Sequence, residues 1–446
     1  MRESRIPPSH TPTTIAEEIA PIPDPGPAPH APRVAGSGLA ARLPALASPR
    51  YRRFIGGAFV GNVGAWMQAT AQGWLVLGLT DSPGLLGLTS AAQTAPVLLL
   101  SLVAGVLADR VDRLRLLVAV QVCAAIVAAV LAALTATGTV MFWHVAVLAF
   151  LAGCTTALGT PAFQAVVSSL VERSAIGSAI ALNSAQFNLS RIIGPAIAGL
   201  AIAGGGLALA FWVNALGLLL VALVLSTLRV SQASLVRAEA SLWSNLVDGL
   251  RFVRANQRVA VLVLLAGVPA LFVLNYLVLL PVYARDILGI GAPGLGLLTA
   301  AIGVGALTGA VSVALLRPSG GSGRLMLAGL AVGSSALIVF ALSGWLPLSL
   351  GALAVLGGCQ VAYYATTNTL IQVLVPARLR GRVMSLYILT SWGAIPFGNL
   401  ISGGIAERFG APVALAGGGV ATLAILALVA IRYPEVRGLR ASALIV

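Results

Sequence analysis

The chain has 446 residues, of which 58% are hydrophobic and only 9% are charged, and its mean hydropathy is +0.97. A soluble core cannot hide that much apolar surface, so the composition excludes a soluble globular protein and predicts a polytopic membrane protein. The formal net charge of +14 would suggest nucleic acid as a partner of a soluble protein. Here the arginines are concentrated in short loops between apolar spans, so they mark membrane topology and no nucleic-acid partner is expected.

The N-terminal segment 1–48 is rich in proline and polar residues and has no apolar core of the kind that a signal peptide requires. We expect a disordered cytoplasmic tail there. Beyond it, charges and turn clusters separate twelve apolar spans of about 20 residues, the length that crosses a bilayer. The predicted spans lie at 53–79, 84–108, 114–136, 141–170, 177–203, 207–228, 259–283, 294–316, 325–342, 346–375, 383–406 and 412–431.

The spans predict an N-terminal six-helix half over 49–228 and a C-terminal six-helix half over 258–433, followed by a cytoplasmic tail over 434–446. Between them, residues 229–257 form a cytoplasmic linker with an amphipathic helix, either interfacial or packed on the bundle. All basic residues are arginine, and a cytoplasmic N terminus places every one except Arg191, Arg285 and Arg408 on the cytoplasmic side. The positive-inside rule therefore predicts that both termini are cytoplasmic.

The loop between the second and third spans reads Gly105-Val-Leu-Ala-Asp109-Arg110-Val-Asp112-Arg113-Leu-Arg. Such charges cost roughly 2.5–3.5 kcal/mol each at the centre of a membrane helix, so they belong in a tight turn at the interface. The pattern resembles the signature loop of the major facilitator superfamily, in the branch of drug:proton antiporters, with Asp112 where the commonest form has glycine.

The resemblance implies an all-α fold of twelve transmembrane helices in two pseudo-symmetric halves. It also implies that Asp109 contacts the start of helix 11 beside Gly381 and Arg382, with Arg110 and Arg113 supporting that gate, because a helix start favours a carboxylate. Residues 378–385, which include Arg380, also resemble a hallmark of this branch. The alternatives are that these charges only set topology, or that the arginines bind lipid phosphates.

The fifth span contains Arg191-Ile-Ile-Gly194-Pro195-Ala-Ile-Ala-Gly199, which resembles the G-P-x-x-x-G core of the motif typical of exporters of the superfamily. Small residues allow close helix approach and Pro195 bends the helix, so ordinary packing is the alternative. Arg191 lies about 21 Å into this span at 1.5 Å per residue and needs a partner. Either carbonyls freed by Pro195 and nearby amide side chains satisfy it, or it attracts an anionic group of the substrate.

An internal repeat relates the two halves. Residues 82–89 are echoed at 292–299, and Gly194 and Gly199 map onto Gly398 and Gly403 at an offset of 204. Two parallel halves related by an axis along the membrane normal place a substrate site between them near the midplane. In the family, spans 1, 4, 7 and 10 line this cavity, and their polar and aromatic residues are the candidate site: Asn62, Trp66, Gln68, Gln72, Gln164, Asn275, Tyr276, Tyr363, Tyr364, Thr367 and Asn368.

The sequence contains no nucleophile triad, metal-ligand spacing or phosphate-binding loop, so we expect neither an enzyme nor an ATP-driven pump, and no cofactor or metal. We expect a monomeric transporter of the plasma membrane that exports drugs, macrolides or siderophore-like compounds by alternating access. Proton coupling stays open, because no Asp or Glu lies inside a predicted span. The alternatives are an importer or uniporter of a small metabolite, and a membrane scaffold or receptor that transports nothing.

Overall fold

The computed structural model describes residues 43–228, 242–316 and 322–439. Residues 1–42 of the predicted tail 1–48 and the linker residues 229–241 lie outside them. The end of that tail is ordered, because Pro44–Ala47 form a short 3-10 helix in which Ala45 is buried. The first half contains α1 (Pro49–Thr80), α2 (Pro83–Arg110), α3 (Arg113–Ala136), α4 (Phe142–Ser169) and α5 (Ile176–Ser226). The linker contributes α6 (Leu242–Ala255), and the second half contains α7 (Gln257–Phe272), α8 (Tyr276–Val282), α9 (Gly291–Leu316), α10 (Ser322–Leu342), α11 (Leu346–Leu374), α12 (Ala377–Gly393), α13 (Ile395–Phe409) and α14 (Ala411–Arg432).

Capping residues determine where several of these helices begin. Ser48 and Ser82 each accept a hydrogen bond from a backbone N–H in the first turn, and a proline follows each of them at the first helical position. Asp112 caps α3 by accepting from the amides of Leu114 at 2.9 Å and Arg115 at 3.1 Å. The tight turn between α2 and α3 is thus fixed by a carboxylate at a helix start.

Nine helical stretches among the described residues are long and apolar enough to cross a membrane. One of them, α5, holds two spans, because Gly206 adopts φ 77° and ψ 178°, a conformation that favours glycine, and turns the chain back. The more polar helix α1 and the pair α12–α13 complete twelve spans. The seventh span is α7 followed by α8, interrupted at 273–275, and the eleventh is α12 followed by α13.

Large apolar side chains cover the outside of the bundle. Leu200, Leu264 and Ile431 are 71%, 69% and 78% exposed, which would be costly in water and is expected against lipid. Within the first half α1 packs on α5 and α2 on α4, and within the second half α11 packs on α9 and α10. Between the halves, α5 packs on α9 and α2 on α13. The expected twelve-helix fold in two halves is confirmed.

The first glycine of the repeat packs each half internally. A β-carbon at Gly194 of α5 would lie 2.6 Å from the carbonyl oxygen of Val63 in α1. One at Gly398 of α13 would lie 2.4 Å from the carbonyl oxygen of Ala270 in α7. Neither position has space for a side chain, so the repeated glycine holds the fifth span on the first and the eleventh on the seventh.

The second glycine of the repeat packs one half on the other. A β-carbon at Gly199 of α5 would lie 3.0 Å from the α-carbon of Pro293 at the start of α9. One at Gly403 of α13 would lie 2.9 Å from the α-carbon of Gly87 in α2. The repeated pair therefore gives each half the same two packing surfaces, one within the half and one between the halves.

Candidate functional site

One end of the bundle is closed by contacts between the turn after α1 and the end of the seventh span. The Arg285 guanidinium donates to the carbonyl oxygen of Leu77 at 3.1 Å, to the Asp286 carboxylate at 2.6 Å and to the Asp81 carboxylate. The side chain therefore places its positive charge at the C-terminal end of α1, where the helix dipole favours a cation.

A carboxylate of the second half holds the start of α2 in the same region. Glu407, near the end of α13, accepts from the Ser82 hydroxyl at 2.8 Å and from the Gly84 amide at 2.9 Å. A helix start favours this negative charge. We call the six residues Asp81, Ser82, Gly84, Arg285, Asp286 and Glu407 the clamp, and the end that they occupy the clamped end.

The opposite end carries the arginine-rich loops. Among the described side chains, contacts between the halves extend from the clamp to Leu98 in α2, whose side chain would lie 2.9 Å from a β-carbon at Gly393. Beyond that level, Arg110 and Arg380 are exposed, and a β-carbon at Gly105 or Gly381 would have no described atom within 4 Å.

The charged loop differs in part from its expected arrangement. Arg382 donates to Asp248 of the linker helix α6 at 2.6 Å, and α6 packs on α12. Asp112 caps α3 and lies 3.9 Å from Arg115, and Arg113 is half-buried. The side chain of Asp109 lies outside the described part of the structure, so its predicted contact with the start of α12 stays a prediction.

A cavity of about 450 Å³ lies within the first half. Its polar lining consists of uncharged amides and hydroxyls from α1 to α5, and Phe54, Phe163 and Phe187 contribute aromatic surface. Three predicted site residues, Asn62, Gln68 and Gln164, line it. The polar lining residues that sequence reasoning missed are Gln93, Gln121, Thr155, Thr156, Thr160, Asn183, Gln186 and Asn214.

Hydrogen bonds between amides organise this cavity. Asn62 donates to Gln186 at 3.2 Å, and Asn214 donates to Gln68 across α1 and the second leg of α5. Gln72 donates weakly to Gln93 at 3.5 Å. Each missed amide was visible in the sequence as a polar residue inside an apolar span, which is itself a signal of function.

Arg191 lies about 22 Å from either end of the first leg of α5, and it is 7% exposed. Its Nη2 donates to the Tyr276 hydroxyl of α8 at 3.0 Å, and its Cζ lies 5.3 Å from the centroid of the Trp66 ring. Its Nε has no partner among the described residues. The partners are thus a hydroxyl and an aromatic face from different halves, rather than the carbonyls and amides suggested by the sequence.

Trp66 connects this arginine to the cavity. Its ring meets the ring of Phe187 edge to face, with centroids 6.2 Å apart, and Phe187 is a lining residue. Arg191 is therefore separated from the cavity by one aromatic pair.

The other predicted residues of the second half have different surroundings. Asn275 donates to the carbonyl oxygen of Leu271 and faces Gly398 of α13. Tyr363 is buried and donates to the carbonyl oxygen of Leu265 at 2.6 Å. These side chains pack helices together instead of lining the cavity. Thr367 bonds the backbone of its own helix, Asn368 accepts from Gln372, and the Tyr364 hydroxyl is buried without a partner in the described residues.

Two similar six-helix halves that pack on each other at one end, with a polar cavity inside the first half, are the arrangement of a membrane transporter. The chain belongs to the transmembrane secretion effector family of the major facilitator superfamily, whose family model matches residues 41–444. The resemblance drawn from the charged loop is thereby confirmed, and the family consists of transporters rather than enzymes.

Relatives of known function agree with this assignment. The chain is 31% identical over 384 residues to the multidrug efflux pump Tap of Mycobacterium tuberculosis, covering 82% of this chain and 89% of Tap. It is 26% identical over 394 residues to the enterobactin exporter EntS of Shigella boydii, covering 88% and 94%. A shorter match, 33% identical over 151 residues, covers 34% of this chain and 38% of the staphyloferrin A transporter of Staphylococcus aureus.

Among solved structures, a mutant of the nucleoside transporter NupG superposes with a TM-score of 0.73 at 12% identity, covering 85% of this chain and 99% of NupG. That similarity shows the fold alone.

Proposed function

We propose that the protein exports small amphipathic molecules across the plasma membrane by alternating access, with both termini and the arginine-rich end in the cytoplasm. The observation that carries this proposal is the amide-lined cavity of about 450 Å³. Drug-sized ligands occupy pockets of about 300–1,000 Å³ in which a few polar groups orient an otherwise apolar ligand. The similarity to Tap over 82% of this chain and to EntS over 88% favours export over import.

On this assignment, the clamp closes the extracellular side and the structure represents an inward-facing conformation. Cytoplasmic substrate enters the cavity while the clamp holds α1 and α2 against the ends of the seventh and eleventh spans. Release requires the clamp to open and the arginine-rich ends to approach each other, in a rocking motion about the glycine contacts between the halves.

The test compares accumulation of a panel of dyes, antibiotics and catecholate siderophores in cells with and without the protein. The key variant is Gln121→Leu, which removes a cavity amide and nearly keeps its volume. The matched control is Gln257→Leu, the same change at an exposed position at the start of α7. We expect the protein to lower accumulation of at least one compound, and Gln121→Leu to reduce that effect about tenfold while Gln257→Leu keeps it.

Equal transport by both variants would show that this cavity does not take part in transport. A rise of accumulation in cells with the protein would indicate import and contradict the proposed direction.

A further inference from the structure

We propose that the transported substrate is an anion, that Arg191 binds its negative group, and that the membrane potential drives its export. This inference rests on the proposed function and names the substrate class and the driving force for the same site.

The first observation is a charge without a counter-charge. Among the buried side chains of the described residues, Arg191 is the one that carries a charge. The described acids lie at the two ends of the bundle: Asp81, Asp286 and Glu407 at the clamped end, and Asp112, Glu172, Asp248 and Glu435 at the other. The Tyr276 hydroxyl and the Trp66 ring solvate the guanidinium but leave its charge unneutralised. Buried charges are normally paired, so this site favours a ligand that brings the missing negative charge.

The second observation is a group of hydrogen-bond donors without acceptors. The Arg191 Nε and the Tyr364 hydroxyl are buried and have no hydrogen-bond partner in the described residues. Gln360 and Tyr364 both lie near the Tyr276 hydroxyl that accepts from Arg191. Because that hydroxyl accepts from the arginine, its own proton is available for donation. Carboxylate, phosphate or phenolate oxygens supply the acceptors that such donors need.

The third observation is the route from the cavity. Phe187, 42% exposed, contributes to the cavity wall and meets Trp66, which covers Arg191. An amphipathic anion can place its aromatic or apolar body among the amides of the first half and its negative group against Arg191. The bound ligand would then contact both halves, since Arg191 belongs to α5 and Tyr276 to α8.

The driving force follows from the charge of the substrate. A monovalent anion leaving a compartment that is 100 mV negative gains enough electrical energy to sustain about a 50-fold concentration gradient. No proton has to return for this export. Export without a returning proton is consistent with the sequence, because no predicted span contains an Asp or Glu that could carry the proton.

The test uses the full-length protein in lipid vesicles loaded with one of two xanthene dyes of similar size, anionic carboxyfluorescein or cationic rhodamine 123. Valinomycin and a potassium gradient set the potential at fixed pH. We expect an inside-negative potential to accelerate carboxyfluorescein release at least tenfold, and a pH gradient alone to have no effect. Arg191→Gln should reduce release and dye binding, measured by fluorescence anisotropy, at least tenfold. Arg408→Gln, which removes an exposed arginine at the clamped end, should match the wild type.

The outcomes separate the two proposals. Export of rhodamine without binding or export of carboxyfluorescein would overturn the anion proposal and leave export standing. Arg191-dependent carboxyfluorescein binding without transport of either dye would keep the anion site and contradict export. A rate of carboxyfluorescein release that does not change with the membrane potential would exclude the proposed driving force.

If Arg191→Gln does not fold, Arg191→Lys and Tyr276→Phe carry the test. The lysine keeps the charge and should bind the anionic dye within about tenfold of the wild type. Tyr276→Phe should weaken binding at least fivefold, and unchanged binding in that variant would overturn the site.

Discussion

The contact between α2 and α13 allows a direct test of the inward-facing assignment. A β-carbon at Gly403 would lie 2.9 Å from the α-carbon of Gly87 and 3.0 Å from the carbonyl oxygen of Pro83, where about 3.4 Å is ordinary contact. Gly403→Ala therefore has to push α13 away from α2 by roughly half an ångström. Overpacking of this kind costs about 1–3 kcal/mol, and the cost applies only while the clamped end is closed. A penalty of about 2 kcal/mol lowers the ratio of closed to open molecules about 30-fold.

The assay measures opening of the clamped end in intact cells. In a background with the three cysteines replaced by alanine, Thr89→Cys places a thiol at a position of α2 that is 2% exposed. A membrane-impermeant maleimide added outside should label this thiol at least tenfold faster in Gly403→Ala. Export should slow, because the variant returns less often to the conformation that loads substrate.

The adjacent glycine provides the matched control. A β-carbon at Gly404 has no atom within 4 Å, so Gly404→Ala should gain only the helix preference of alanine, about 0.5–1 kcal/mol, without changing labelling or export. If both alanine variants label the Thr89→Cys thiol at the parental rate, steric contact at Gly403 does not hold the closed end together, and the reasoning is refuted.

Two further substitution pairs test single contacts. Arg285→Gln removes the exposed ion pair with Asp81 that joins the halves, worth about 0.2–1 kcal/mol. The thiol of the labelling assay should therefore react up to about fivefold faster. Equal acceleration by Arg408→Gln would contradict a specific clamp. Tyr363→Phe leaves the carbonyl oxygen of Leu265 without its buried donor, so it should lower stability in a detergent melting assay by about 1–3 kcal/mol. Tyr364→Phe loses no such hydrogen bond and should melt like the wild type. Identical losses of stability in both variants would contradict the assigned roles.

The sequence predicted the helices well because their limits depend on strong local terms. Charged residues are costly in hydrocarbon, so the segment from Arg110 to Arg113 had to be a turn. Ser82 and Asp112 begin α2 and α3 by accepting amide hydrogen bonds that a helix start leaves unsatisfied. The repeat also indicated equivalent packing in both halves, although only the fold shows that Gly199 meets α9 and Gly403 meets α2.

The site was harder to predict because it depends on how each helix is rotated about its axis. Family precedent selected spans 1, 4, 7 and 10, and it included Tyr363, whose hydroxyl is used to join α11 to α7. Gln121 and Asn214 were passed over because they lie on spans 3 and 6, yet both line the cavity. The partner of Arg191 depends on the interruption at 273–275 that begins α8 at Tyr276, and no short-range pattern fixes the direction of a broken helix.

The energetics of Arg191 explain how a site can hold a lone buried cation and still function. An arginine at the centre of a membrane helix costs about 2.5–3.5 kcal/mol on insertion scales. The hydrogen bond from the charged guanidinium to Tyr276 stabilises it by about 1.5–3 kcal/mol. A desolvated cation–π contact with Trp66 contributes up to about 2 kcal/mol more. The residue is therefore tolerated without being neutralised. A ligand carboxylate at about 4 Å would add about 4 kcal/mol at an effective dielectric constant of 20. An acidic side chain at this position would form a permanent ion pair with Arg191, and an anionic substrate would have to break that pair in order to bind. A cation that is solvated only by neutral groups remains available for an ion pair with the substrate.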